Sequence, residues 1–225
     1  MRIMMKKFIA KFFPEYAWIP TLICLAANFI AFYGTRTVNR FLPHVSMESA
    51  LDEMIPFVPA FIIIYVAAYI QWIYGYYAVG RESREFCYRF LSAQVISKIM
   101  CLVIFIVLPT TMARPEIKGN DLFSALTAFI YAADTPDNLF PSVHCLESVF
   151  FSIAVCKAKK PSAAAKWMNA VLSVLVCASV VLVKQHVVAD IVGGAAIAVL
   201  GLLAAKPLRA ERMFSRFDKS KQIEG

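Results

Sequence analysis

The stretch 187-VVADIVGGAAIAVLGLLAA-205 decides the fold, because it is apolar throughout except for one carboxylate, Asp190. A helix needs about 17–25 predominantly apolar residues to cross the roughly 30 Å hydrocarbon core of a bilayer. This run has that length, so it predicts a membrane span. Five further runs read the same way, at 16–35, 56–79, 90–111, 141–156 and 167–183. The run at 141–156 is the shortest, and it is kept because the crossings on either side of it need that parity.

Composition agrees with this reading. Hydrophobic residues make up 60% of the 225-residue chain and charged residues only 17%, with a mean hydropathy of +0.65. A soluble globule cannot hide that much apolar surface, whereas a bilayer accepts it. The net charge of +8 does not point to nucleic acid, because the basic residues stand in short tracts between apolar runs and form no stripe interleaved with aromatics. The tracts lie before the first run (Arg2, Lys6, Lys7, Lys11), between the second and third (Arg81, Arg84, Arg89), between the fourth and fifth (Lys157, Lys159, Lys160, Lys166) and after the sixth (Lys206, Arg209, Arg212, Arg216, Lys219, Lys221). Six crossings put all four tracts on one side, which the positive-inside rule makes cytoplasmic. The expectation is an all-α membrane protein, a single domain over residues 1–225 built as a six-transmembrane-helix bundle with both termini cytoplasmic. Residues 206–225 form a basic cytoplasmic tail. Residues 1–15 are basic and aromatic, and they read as an interfacial segment or a frayed tail rather than a cleavable signal.

The six cysteines show no CxxC and no close pairing, which suits apolar packing better than a disulfide frame or a metal site. No cofactor and no metal are expected. The polar loop 112–140 has an apolar middle, 122–131, that predicts a short interfacial helix. Lys98 reads as snorkelling to the inner head groups, and the aromatics from Trp72 to Tyr77 as an interfacial belt at the cytoplasmic end of the second span. Glu147 reads as tuning His144, contacting a head group or bonding a neighbouring helix. Gly193 and Gly194 read as allowing close packing of the last span.

Ionisable residues are few at the opposite, outward ends of the spans. His186 precedes Asp190 by four positions, one helical turn, so the carboxylate can bond one ring nitrogen and leave the other as a free base. A structural His–Asp pair that only caps the helix fits that tetrad equally well. Pro141-Ser142-Val143-His144 reads as a helix start, with Pro141 in the first turn, Ser142 as a hydroxyl donor and His144 as a proton donor beside a bound anion. Arg114-Pro115 offers a guanidinium suited to phosphate oxygens, or an arginine snorkelling at the interface. Each signal is weak singly. Their occurrence at three helix ends on one face points to phosphoryl transfer.

These residues resemble those of the type 2 phosphatidic acid phosphatase (PAP2) superfamily, a six-helix membrane family, and within it the inositol phosphorylceramide synthase-like branch. The family motifs are Lys-x6-Arg-Pro, Pro-Ser-x-His and Ser-Arg-x5-His-x3-Asp. Here the first keeps Arg114-Pro115 but has Val107 at the lysine position. The second is intact. The third keeps Ser179, His186 and Asp190 but has Val180 for the arginine. The resemblance implies a metal-independent lipid phosphate phosphatase working through a phosphohistidine, and the charge-derived topology puts its site on the extracytoplasmic face of the plasma membrane. In that scheme His186 is the nucleophile, Asp190 its orienting carboxylate and His144 the general acid. Arg114 and Ser142 hold phosphate oxygens, and Lys184 or Lys118 replaces a missing cation. A lipid phosphotransferase and a non-catalytic lipid-phosphate binder are the alternatives. The partners implied are a lipid phosphate and the membrane lipids.

Overall fold

The computed structural model describes residues 12–215 and residue 217. The basic N-terminal segment lies outside the described residues up to residue 11, as does most of the C-terminal tail after residue 215.

The chain is mostly helical. α1 (Glu15–Phe29) runs through a π-helical turn at Ile30–Gly34 into α2 (Thr35–Asn39). A strand β1 (Val45–Ser46) and a short helix α3 (Ala50–Met54) follow. A 3-10 turn, Pro59–Phe61, then enters α4 (Ile62–Glu82). α5 (Arg84–Val107) begins at Ser83, whose hydroxyl accepts the Phe86 N–H at 3.1 Å. After it come β2 (Thr110–Thr111), α6 (Leu122–Ala133), α7 (Val143–Lys157), α8 (Ala163–Leu182), α9 (Val188–Ala205) and the short α10 (Arg212–Ser215).

Five helical segments are long and apolar enough to cross a membrane: Glu15–Asn39, Pro59–Glu82, Arg84–Val107, Ala163–Leu182 and Val188–Ala205. They make this an integral membrane chain. The expected fourth crossing corresponds to α7, which has 15 residues and so extends about 22 Å at 1.5 Å per residue. α6 forms in the loop where the apolar middle predicts a helix, with the Asp121 carboxylate accepting the Phe123 and Ser124 N–H groups at 2.9 and 3.2 Å. Among the described residues the sheet structure is one two-stranded parallel pair, in which Val45 faces Thr110 and Ser46 faces Thr111. It ties the loop after α2 to the loop after α5.

The core lies where α5, α7 and α9 meet, around the fully buried Leu91, Phe105, Leu146, Phe150 and Phe151. Small residues allow the helices to approach. A β-carbon on Gly194 would collide with the Ser142 carbonyl oxygen and lie 3.0 Å from both Cys145 Cβ and Leu146 N. α9 therefore crosses the start of α7 backbone to backbone, as the paired glycines lead one to expect.

Lys98 and Trp72 depart from the sequence expectations. Lys98 does not snorkel: it is 1% exposed and pairs with Glu147 of α7 at 2.6 Å, while Gln94 Nε2 donates to the other carboxylate oxygen at 2.5 Å. A charge inside a bundle is held by a partner when one stands on the facing helix. Trp72 does not sit in an aromatic belt either. It packs 5.0 Å from the His144 ring and donates its indole N–H to Ser148 Oγ at 3.0 Å. At the other end of the chain, Phe214 of α10 is fully buried 5.9 Å from Tyr88, so the tail begins packed against α5.

Candidate active site

The turn between α8 and α9 carries the centre of the site. α8 ends in a Schellman arrangement: the Lys184 N–H reaches Val181 O at 3.2 Å and the Gln185 N–H reaches Val180 O at 2.9 Å. Lys184 takes the left-handed position, with φ 52°, where glycine is usual. A lysine there costs roughly 1–2 kcal/mol. Val180 O also accepts the His186 N–H at 3.1 Å. The residue that replaces the motif's arginine thus fixes the histidine through its backbone.

The sequence puts His186 and Asp190 on one helix face. In the structure His186 stands in the turn just before α9, and Asp190 sits in the first turn of α9. One carboxylate oxygen of Asp190 serves both, accepting the Val187 N–H at 3.0 Å and lying 3.1 Å from His186 Nδ1. Asp190 is fully buried. A hydrogen bond from Nδ1–H to this carboxylate sets the tautomer, leaving Nε2 with its lone pair. The Asp52 carboxylate completes the start of α9. Its Oδ1 accepts the Val188 N–H at 2.7 Å and its Oδ2 accepts the Ser49 N–H and hydroxyl at 3.0 and 2.6 Å. Burial opposes the charge on Asp52, but the Ser49 and Val188 hydrogen bonds and nearby Lys184 hold its pKa below the ordinary value.

His144 lies in the first turn of α7, its ring 6.5 Å from that of His186. It stacks on Tyr65 at 4.1 Å and 21°, with Tyr69 edge-on at 5.7 Å. Tyr65, Tyr69 and Trp72 recur at i, i+4 and i+7 on α4, so one helical face cradles the ring. That spacing was the available signal for three site residues that sequence reasoning missed.

Arg114 reaches the site from the loop after β2. It donates to the Asp134 and Tyr131 carbonyls at 2.6 and 3.3 Å and to Gln185 Oε1 through Nη2, and it lies 4.5 Å over the Tyr131 ring. Burial draws its pKa below the ordinary value and pushes Tyr131 up to about 12, so Tyr131 is neutral. The Arg114 hydrogen bonds go to neutral oxygens, so no carboxylate cancels its charge through them. Lys184 is held in the same manner, donating to the Asp52 and Ile55 carbonyls at 2.8 and 2.6 Å.

Two cavities meet at His186. One, of about 260 Å³, is walled by Tyr33, Tyr65, Tyr69 and Trp72 and contains His144, Gln185 and His186. The other, of about 420 Å³, contains Arg114, Lys184 and His186 beside Asp52. Four of the candidate residues therefore converge on these cavities with Asp190 behind them. The other two do not. The Ser142 hydroxyl is fully buried and accepts the Cys145 N–H at 3.3 Å as the cap of α7, and it lines neither cavity. Lys118 is exposed in the loop before α6 and also lines neither. Gln185, which the sequence did not single out, bridges Arg114 and the first cavity.

Four buried polar atoms at this place have no protein partner: His144 Nε2, Arg114 Nε, Gln185 Nε2 and Asp190 Oδ1. Buried donors and acceptors are nearly always paired, and each orphan costs about 1–3 kcal/mol. Such a cluster suits a polar ligand. The loop that forms the rim is clamped to the first span: Arg36 reaches Asp134 at 2.6 Å and Asp137 at 2.5 Å, and Asn39 Nδ2 donates to Asn138 Oδ1 at 2.6 Å.

No curated protein matches the chain. Residues 41–204 match the family description PAP2 superfamily, a range that takes in every candidate site residue. His144, His186, Asp190, Arg114 and Lys184 all fall within this match, and the chain belongs to the PAP2 superfamily, a family generally of phosphatases and phosphotransferases.

Proposed function

We propose that this protein is a metal-independent lipid phosphate phosphatase that works through a phosphohistidine at His186. The observation that carries the reading is His186 held by Asp190 at 3.1 Å with the His144 ring 6.5 Å away in the same cavity.

In this mechanism Nε2 of His186 attacks phosphorus, and the P–O bond to the lipid breaks in line on the far side. The Asp190 carboxylate holds Nδ1–H and stabilises the charge that develops on the ring. Protonated His144 gives its Nε2 proton to the departing alkoxide. Neutral His144 then takes a proton from water, which attacks the phosphohistidine and releases phosphate. Arg114 and Lys184 supply fixed positive charge, and Gln185 offers its free amide N–H groups to the transferring oxygens. Ser142 acts by capping the helix that presents His144, and Lys118 has no role in the step.

The proposed topology is one domain with six crossings, α7 being the short fourth. Both termini and the basic tracts are then cytoplasmic, and the site opens to the extracytoplasmic side of the plasma membrane. Support comes from the helix ends: α5 leads to Arg114 at the same end at which α7 and α9 begin.

The test is phosphate release from a panel of lipid phosphates and pyrophosphates by the purified chain with a chelator present. Wild type should release phosphate and His186→Ala should not. No release from any lipid by wild type would sink the reading.

A further inference from the structure

At the membrane face opposite the histidines, α5 begins while α7 and α9 end. A groove of about 340 Å³ lies between these three termini. Phe90, Ile153, Val199 and Leu203 form its walls, and Leu203 is 65% exposed, so the groove opens sideways to the surrounding lipid. Arg89, Lys157 and Lys206 line the same groove, one from each helix end. All three are exposed, and no carboxylate pairs with any of them among the described residues. The Arg89 guanidinium lies 5.4 Å over the Phe90 ring, which places its charge above the apolar wall. Three exposed cations with no carboxylate partner around one apolar recess offer an anion a place among them.

We propose that this groove binds one anionic glycerophospholipid from the leaflet on that face. Its phosphate sits among Arg89, Lys157 and Lys206, and an acyl chain lies along Phe90, Ile153 and Val199. The charge pattern selects the occupant: a zwitterionic lipid brings its own cation to the cluster, whereas a net anionic head group does not. The site is independent of the reaction at His186, so it stands or falls separately from the phosphatase reading.

The full chain in a non-ionic detergent, given equal amounts of phosphatidylglycerol and phosphatidylcholine, tests this by native mass spectrometry. Wild type should retain one phosphatidylglycerol in preference to phosphatidylcholine. Each cation removed should weaken retention about fivefold, and Arg89→Gln/Lys157→Gln/Lys206→Gln on the order of a hundredfold. A control of equal charge loss outside the groove, Lys159→Gln/Lys160→Gln/Lys166→Gln, should retain the lipid. Ile153→Trp, which fills the groove and keeps every cation, should lose it. Equal affinity for both lipids in wild type would overturn the proposal. So would equal loss in the two triple variants, which marks a diffuse surface charge. Full retention by Ile153→Trp with displacement by inorganic phosphate would also overturn it, since head-group contact alone would then suffice.

Discussion

Gly194→Ala tests whether helix packing sets the site geometry. The added methyl would meet the Ser142 carbonyl oxygen below 3.0 Å, with Cys145 Cβ and Leu146 N at 3.0 Å. Two of these three atoms are backbone, so no rotamer change relieves the clash. α9 must withdraw from α7 by roughly 1 Å to restore van der Waals separation. The contact joins the turn that presents His144 to the turn that carries Asp190, which the Ser142 N–H to Asp190 O bond of 3.1 Å also links. A shift of that size between catalytic groups costs about a hundredfold in rate, or about 2.7 kcal/mol in the barrier. Overpacking adds about 1–3 kcal/mol of lost stability. Gly201→Ala is the matched control, because its methyl would meet Ala93 O at 2.9 Å and Ser97, far from the histidines. Phosphate release per folded molecule, with folding read from thermal unfolding in detergent, separates the two effects. Gly194→Ala should lose rate in the folded fraction while Gly201→Ala should lose stability alone. Full specific activity in folded Gly194→Ala would show that the α7–α9 contact does not set the site geometry.

Three further outcomes are expected. Asp190→Asn should cut phosphate release by on the order of 10³-fold, since an amide can hold the ring in the wrong tautomer; kcat measured with His186 intact checks this. Lys98→Met leaves the buried Glu147 charge without its cation, held only by the Gln94 amide, and should cost about 3–5 kcal/mol, whereas Lys98→Met/Glu147→Leu should recover most of it, as read by thermal unfolding of both variants. The folded-state pKa of Asp52 is depressed, so its contribution to stability is complete above the ordinary carboxylate value of 3.8 and is lost as pH falls through the lower folded value. Unfolding of wild type and Asp52→Asn should therefore differ most near neutral pH and converge in acid.

Membrane spans were legible because hydropathy over a helix length is a local property, and five of the six runs became helices long enough to cross. His186, Asp190, His144 and Arg114 were legible because charged or imidazole side chains at the ends of apolar runs are conspicuous. What remained hidden depends on the facing helix. Lys98 reads as a snorkelling lysine until Glu147 is found opposite it, and Trp72 as an interfacial anchor until α4 is seen to turn it toward His144. Gln185 and Asp52 acquire roles through partners 71 and 136 positions away, Arg114 and the Val188 N–H. Ser142 illustrates the reverse case. A serine before a helix can bind an anion or cap the helix, and in the structure the Ser142 oxygen caps, accepting the Cys145 N–H. The left-handed conformation of Lys184 also lay beyond sequence reasoning, because lysine gives no sign of it.

The most direct test of the central claim is covalent trapping. His144→Ala, which lacks both the acid for the leaving group and the base that activates water, is mixed with labelled p-nitrophenyl phosphate, whose leaving group departs without protonation, then quenched at alkaline pH and digested for mass spectrometry. An acid-labile phosphoryl group on His186, absent from His144→Ala/His186→Ala, is the expected result. Phosphate release that persists in His186→Ala, or a label on any other residue, would contradict it.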